Sequence, residues 1–270
     1  DHLCDTHSPQ PYANCVGQPA WGGHLAEDLE NLVSLHGSGN IAAVVLEPVA
    51  GSTGVLVPPV GYLEKIREIC TRHNLILIFD EVITGFGRLG QPFASEHFDV
   101  YPDILTLAKG LTGAVVPAGA VIAKRNIYET ITAGSDTAIE FPHGYTYSAH
   151  PVAAAAGLAM LKYYTEDGLY ERAASLIPTF AELIHDFDSH EAVRDVRNIG
   201  LMGAIELKKP DSYELGDLGR RVMDHAWHFE KLYLRVTGDT IALSPAFVAT
   251  PEELQDIFCR IRRCIDSCVP

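Results

Sequence analysis

The sequence predicts an α/β fold: a large domain with a mainly parallel sheet, followed by a small C-terminal α+β domain. Three observations carry that prediction. Short continuous apolar runs recur in the first half, each closed by a charged residue. Segments of amphipathic helical spacing lie between them. From about residue 186 the pattern changes to paired strand-like runs with helices between and after them. The two domains are therefore drawn at 1–185 and 186–270.

Each element follows in order. Residues 1–24 are rich in Pro, Gly, His and Asn and read as irregular. HLAEDLENLVSLHG places Leu25, Leu29, Leu32 and Leu35 at helical spacing. IAAVVLEP is an apolar run that suits a strand buried on both faces. GSTGVLVPPV is a loop, GYLEKIREICTRHN an amphipathic helix, and LILIFD a second buried strand ending at Asp80. Strand, helix and strand at this spacing predict a parallel βαβ unit. PDILTLAKG predicts a strand reaching Lys109, and AGAVIAK another. A long helix begins after Pro151. VRDVRNIGLMGAIEL and LYLRVTGDTIALSPAF predict the strands of the second domain.

Composition bounds the function. With 47% hydrophobic and 20% charged residues, the 270-residue chain can bury a sizeable core and is not a disordered one. The net charge of −15 repels phosphate backbones and argues against a nucleic-acid partner. No apolar run reaches the ~20 residues of a membrane span. The opening DHLCDTHSPQ has neither the basic nor the apolar region of a signal peptide. It also lacks an initiator Met and starts in a loop-like stretch, so it reads as a piece of a longer or processed chain. Six cysteines without a C-x-x-C pair read as free thiols in a reducing cytoplasm. Cys264 and Cys268 stand four apart, but a zinc site needs two further ligands. The twelve histidines, His143 and His150 among them, form no H-E-x-x-H and no ligand-spaced pair, so no metal is expected.

In open α/β sheets, ligands bind beyond the carboxyl ends of the strands. Glu47, Asp80 and Lys109 each close an apolar run there. Any one of them could simply end a strand in water; three in one sheet point to a site. Asp80 and Lys109 suggest one chemistry. A carbonyl cofactor needs a lysine amine with which to condense. Pyridoxal phosphate also needs a carboxylate beside its protonated pyridine nitrogen, so that the ring accepts electrons. Lys109 lies between Ala108 and Gly110, where desolvation favours the neutral amine. Val82 follows Asp80 by two residues and can pack on the ring. Gly85, Gly87 and Gly90 match the dinucleotide pattern G-x-G-x-x-G. That fingerprint should follow its strand at once and open a helix; here four residues intervene and Pro92 follows. Nicotinamide or flavin binding is therefore disfavoured.

AAVVLEPVAGSTGVLVPP, LILIFDEVITGFGRLG, PDILTLAKGL and HGYTYSAHP, in this order, resemble the class III aminotransferases. These are fold-type-I enzymes that depend on pyridoxal 5′-phosphate. The GSTGVLVPP, HGYTYS and LRVTGDTIALSP segments resemble the β-alanine:pyruvate or ω-amino acid:pyruvate branch. The resemblance runs from about residue 25 to the C-terminus. It implies transfer of an amino group from an ω-amino acid such as β-alanine, or from an amine, to pyruvate. It implies that Lys109 holds the cofactor and acts as acid and base, that Asp80 partners the pyridine nitrogen, and that Val82 packs on the ring. It further implies that Thr146 reaches the cofactor phosphate of a neighbouring subunit in a homodimer, and that Arg235 recognises the acceptor's carboxylate. AKGLTGA stands where the family usually reads AKGLTNG, and Ala246 breaks the usual SPP. The family's glycine/serine phosphate loop and ring-stacking aromatic have no counterpart in residues 1–24, so the chain is read as N-terminally incomplete. Two other readings stay open: an aminomutase-like relative, or a catalytically silent fragment.

Overall fold

The computed structural model describes residues 15–133 and 144–269. Cys4 and His143 lie outside these residues. The described chain builds two sheets. The first has four strands in the order β2-β3-β4-β5, with β2 Ala43–Leu46, β3 Ile76–Asp80, β4 Ile104–Leu107 and β5 Ala120–Ala123. β2, β3 and β4 run parallel, while β5 is antiparallel to β4. The mainly parallel sheet expected from the apolar runs is thus present.

α1 (Glu27–His36) and α2 (Tyr62–Arg72) precede and follow β2. α2 turns Leu63, Ile66, Ile69 and Cys70 inward, at the i, i+3, i+6, i+7 spacing of one helical face. Leu63, Ile66 and Cys70 pack in one core cluster with Leu77 and Phe79 of β3, which are fully buried. Truncating a side chain such as Phe79 to Ala would cost about 3–5 kcal/mol. Asp103 ties this half together. Its carboxylate accepts from Arg67 of α2 (2.8 Å), the Leu77 amide of β3 (2.8 Å) and Lys124 beyond β5 (2.8 Å). Asp103 stands at the entrance to β4, the strand that leads to Lys109.

Two expectations are corrected here. β2 is not covered on both faces: it is the edge of its sheet, and Val45 is 63% exposed. In α1, Leu32 and Leu35 are exposed, and the buried residue is Val33. Leucine spacing alone marks an apolar stripe without saying which part of it meets a partner.

β4 ends two residues before Lys109, which begins a 3-10 turn over Lys109–Leu111. The short α3 (Ala94–His97) follows the glycine-rich turns after β3. α4 (Arg125–Thr132) and α5 (Pro151–Thr165) come after β5.

The second sheet has the order β1-β6-β7-β9-β8. Its strands are β1 Cys15–Val16, β6 Val193–Ile199, β7 Met202–Leu207, β8 Arg235–Thr237 and β9 Thr240–Leu243. Except for the parallel β1–β6 pair, it is antiparallel. α6 (Leu169–His185), α7 (Asp217–His225) and α8 (Pro251–Cys268) supply the helices of its core, where Phe180, Ile184, Val222, Phe258 and Ile261 meet Ile205 and Ile241. Thr250 and Glu253 cap α8 reciprocally at 3.2 and 2.8 Å, and Pro251 opens it. Cys70, Cys259, Cys264 and Cys268 carry free thiols. Among the described residues, no helix is long and apolar enough to cross a membrane.

Candidate active site

A cavity of about 230 Å³ opens where the carboxyl ends of β3 and β4 face the β8–β9 hairpin. Lys109, Val82 and Arg235 line it, with Gly51 and Ser52 of the loop after β2. Three of the five sequence-predicted residues thus line the cavity, and Asp80 does not. Asp80 acts on it electrostatically: its carboxylate and that of Glu47 favour the charged amine of Lys109. Burial, and then the charge of Arg235, outweigh them and hold the Lys109 amine below its usual range. Among the described residues, no carboxylate pairs with the Arg235 guanidinium.

Local geometry shows why these positions converge. Asp80 stands opposite Thr106 in the β3–β4 register, so Lys109 follows three residues later, in the turn just past the end of β4. The Val82 amide donates to Asp80 Oδ1 at 3.0 Å, which folds the chain back at the strand end. Glu47 Oε2 accepts from the Gly51 amide at 2.9 Å and closes the turn after β2.

The backbone at Lys109 is left-handed, with φ of 46°. So are Val55 (56°) and Phe86 (62°), which also line the cavity. Such conformations cost about 1–3 kcal/mol each in non-glycine residues and persist where the surroundings over-determine them. The surroundings here are tight. A Cβ on Gly110 would lie 2.8 Å from Phe86 Cβ, so only glycine lets the lysine turn sit on that ring. Tyr164 of α5 donates to the Gly110 carbonyl at 2.9 Å, and its ring stacks on Phe86 with centroids 5.6 Å apart.

The loop over residues 51–55 is pinned from the second sheet. Buried Arg197 donates to the carbonyls of Gly54 (2.7 Å) and Val55 (3.1 Å), while paired with Asp195 and with Glu206 at 3.2 Å. Thr237 Oγ1 donates to the Ser52 carbonyl at 2.8 Å. Glu81, next to Asp80, is fully buried and accepts from Thr84 Oγ1 and the amides of Ala94 and Ser95 at 3.1, 2.6 and 2.9 Å. It faces α3, away from the cavity lining.

Thr146 stands apart. It lies in an exposed turn and is not among the residues lining the cavity of its own chain. Conversely, Arg88, Tyr164 and Phe247 line the cavity without having been singled out from the sequence. Arg88 was legible only as part of the GFGRLG motif. The segment of Gly85, Gly87 and Gly90 forms successive turns and opens no helix directly.

The donor set fits pyridoxal phosphate in part: a lysine amine biased toward neutrality, a carboxylate on the adjoining strand, and an apolar Val82 between them in sequence. A model of the family described as aminotransferase class-III matches residues 7–265. An omega-aminotransferase of Caulobacter vibrioides is 51% identical over 265 residues, which cover 97% of this chain and 60% of that protein. A beta-alanine–pyruvate aminotransferase of Pseudomonas aeruginosa is 48% identical, covering 96% of this chain and 58% of that protein. The solved omega transaminase from Pseudomonas jessenii in complex with PMP superposes with a TM-score of 0.84 at 35% identity, over 91% of this chain and 55% of that one. The chain thus spans 60% or less of the length of each of these relatives.

Proposed function

The chain belongs to the class III aminotransferases, a family dependent on pyridoxal 5′-phosphate, and from that membership we propose that it transfers an amino group from an ω-amino acid such as β-alanine, or from an amine, to pyruvate. The observation that carries the reading is the convergence of Lys109 and Arg235 on one cavity, with the Asp80 carboxylate acting on Lys109.

Lys109 Nζ would hold the cofactor, the Asp80 carboxylate would face its ring nitrogen, and Val82 would pack on the ring. When bound, the cofactor supplies an electron sink for the carbon that loses its proton. Lys109 takes that proton on Nζ and gives it up again, which requires an amine that is neutral at working pH. Burial and the Arg235 charge push it that way. The Asp80 carboxylate would lie beside the ring nitrogen and favour a positive charge there. Arg235 offers two parallel N–H donors to the carboxylate of the acceptor acid. The GSTG loop and the hairpin, joined through Thr237 and Ser52, close the side of the cavity where that acid would lie.

The same reading makes the working unit a cytoplasmic homodimer with sites shared across the interface, in which Thr146 reaches the phosphate of the partner's cofactor. Its exposure and its absence from its own cavity's lining support that assignment. Two units, 1–185 and 186–270, are proposed on the two sheets and the two main apolar clusters, with Ile199, Met202 and Ala204 of the second sheet packing into the first cluster. β1 and α6 precede residue 186 in sequence yet pack with the second sheet.

The test is a transamination assay of the full protein with β-alanine, 4-aminobutyrate and 1-phenylethylamine against pyruvate. Alanine should form with at least one donor. Inactivity with all three contradicts the proposal.

A further inference from the structure

Arg88 is a half-buried cation that the proposed chemistry does not use. Burial pushes its guanidinium down to about 10, against a smaller opposing effect of Tyr164. Among the described residues, no carboxylate forms an ion pair with it. Its partners belong instead to the segment that leaves β9. Nη1 donates to the Pro245 carbonyl at 2.6 Å, and the guanidinium carbon sits 4.4 Å from the centre of the Phe247 ring. Withdrawing a cation even partly from water without an anion beside it is costly. Its presence therefore asks for a geometric reason.

The main chain of Arg88 gives one. Its carbonyl accepts from the Leu201 amide at 2.9 Å, in the tight turn between β6 and β7. Gly200, in that turn, has φ of 55°, and a Cβ on it would meet the Arg88 carbonyl oxygen at 2.6 Å. Arg88 thus grips the second sheet twice, by backbone at the β6–β7 turn and by side chain at the exit of β9. It does so from the loop that begins at Asp80 and Val82. On the other side of that grip, Arg235 pairs with Ala242 in the β8–β9 register, three residues before Pro245.

We propose that Arg88 is a positioning residue that fixes the hairpin bearing Arg235 against the loop bearing Asp80 and Val82, and thereby sets the affinity for the acceptor's carboxylate. The proposal rests on the reading of Arg235 as the carboxylate-recognition group. Displacing a binding group by about 1 Å can cost up to about 100-fold, so loss of the latch is felt at a distance.

The experiment compares Arg88→Gln and Arg88→Lys with the unaltered full protein. For Arg88→Gln, KM for pyruvate should rise about ten-fold. The half-reaction with saturating 1-phenylethylamine, which has no carboxylate, should change less than about two-fold. Hydrogen exchange of amides across 235–249 should accelerate, while that of β3 stays as it was. Arg88→Lys keeps one donor for Pro245 and should shift both readouts in the same direction but less far; it carries the test alone if Arg88→Gln does not fold. An unchanged KM for pyruvate overturns the proposal. So does a raised KM with unchanged exchange over 235–249, which would make Arg88 a direct contact of the acid. If the unaltered protein transaminates nothing, the functional reading fails. Exchange over 235–249 then decides the latch by itself: acceleration supports it and no change overturns it.

Discussion

Asp80 and Thr106 stand opposite one another in the parallel register of β3 and β4. That pairing matters to the cavity, because it fixes where the turn bearing Lys109, just past the end of β4, begins relative to Asp80. A shift of one residue in the register would turn Asp80 to the other face of the sheet. The register is protected from several sides. The Glu81 amide continues it by donating to the Thr106 carbonyl at 3.0 Å, and Asp103 holds the start of β4 to both neighbouring strands.

The Lys109 amine should respond in opposite directions to its charged neighbours. Arg235 lowers its pKa, while Asp80 and Glu47 raise it. In the cofactor-free chain, acylation of Lys109 should therefore set in at a pH below that of an ordinary lysine. Arg235→Ala should move this onset to higher pH and Glu47→Gln to lower pH. Site-resolved acylation rates against pH check this. Shifts of the same sign in both variants would contradict it.

Asp80→Asn keeps the shape of the strand end and removes its charge. Loss of one preorganised electrostatic partner costs about 10²–10³-fold in kcat. Single-turnover amine transfer should fall by that order, while the cofactor remains attachable to Lys109. Unimpaired turnover would remove Asp80 from the mechanism.

Much of this was legible in the sequence, for definite reasons. Strands β3 and β4, helix α2 and the parallel unit followed from period and apolar runs, since burial on both sides of a central strand leaves few polar positions. Asp80 and Lys109 stood out because charge at the end of such a run is conspicuous. Val45, Leu32 and Leu35 misled, because an apolar residue declares a preference without naming the surface that covers it. Arg88 was hidden for a related reason. Its partners are the Pro245 carbonyl and the Phe247 ring, more than 150 residues away, and neither carries a charge that a sequence pattern could match to it. The 3-10 turn and left-handed backbone at Lys109 were equally invisible, since the close approach of Phe86 to Gly110 comes from a distant part of the chain.

Acid stability should depend on Asp103. Burial alone would raise its carboxyl, but hydrogen bonds from Lys124, the Leu77 amide and Arg67 hold it down at about 2. The folded value is depressed, so this contribution is fully present above the unfolded carboxylate value of about 3.9 and is lost as pH falls through about 2. Asp103→Asn should cost about 2 kcal/mol near neutral pH. The difference between the two proteins should shrink from about pH 4 downwards. Urea unfolding across that range measures it; a difference independent of pH would rule out the ionic origin.

The central claim is that Lys109 is the cofactor lysine, and borohydride trapping tests it most directly. The protein is mixed with pyridoxal 5′-phosphate, reduced, digested and mapped by mass spectrometry. A stable adduct is expected at Lys109 at near-stoichiometric yield, and its loss in Lys109→Ala without compensating labelling at one other lysine. An adduct concentrated on a different lysine, or labelling unchanged by Lys109→Ala, would contradict it.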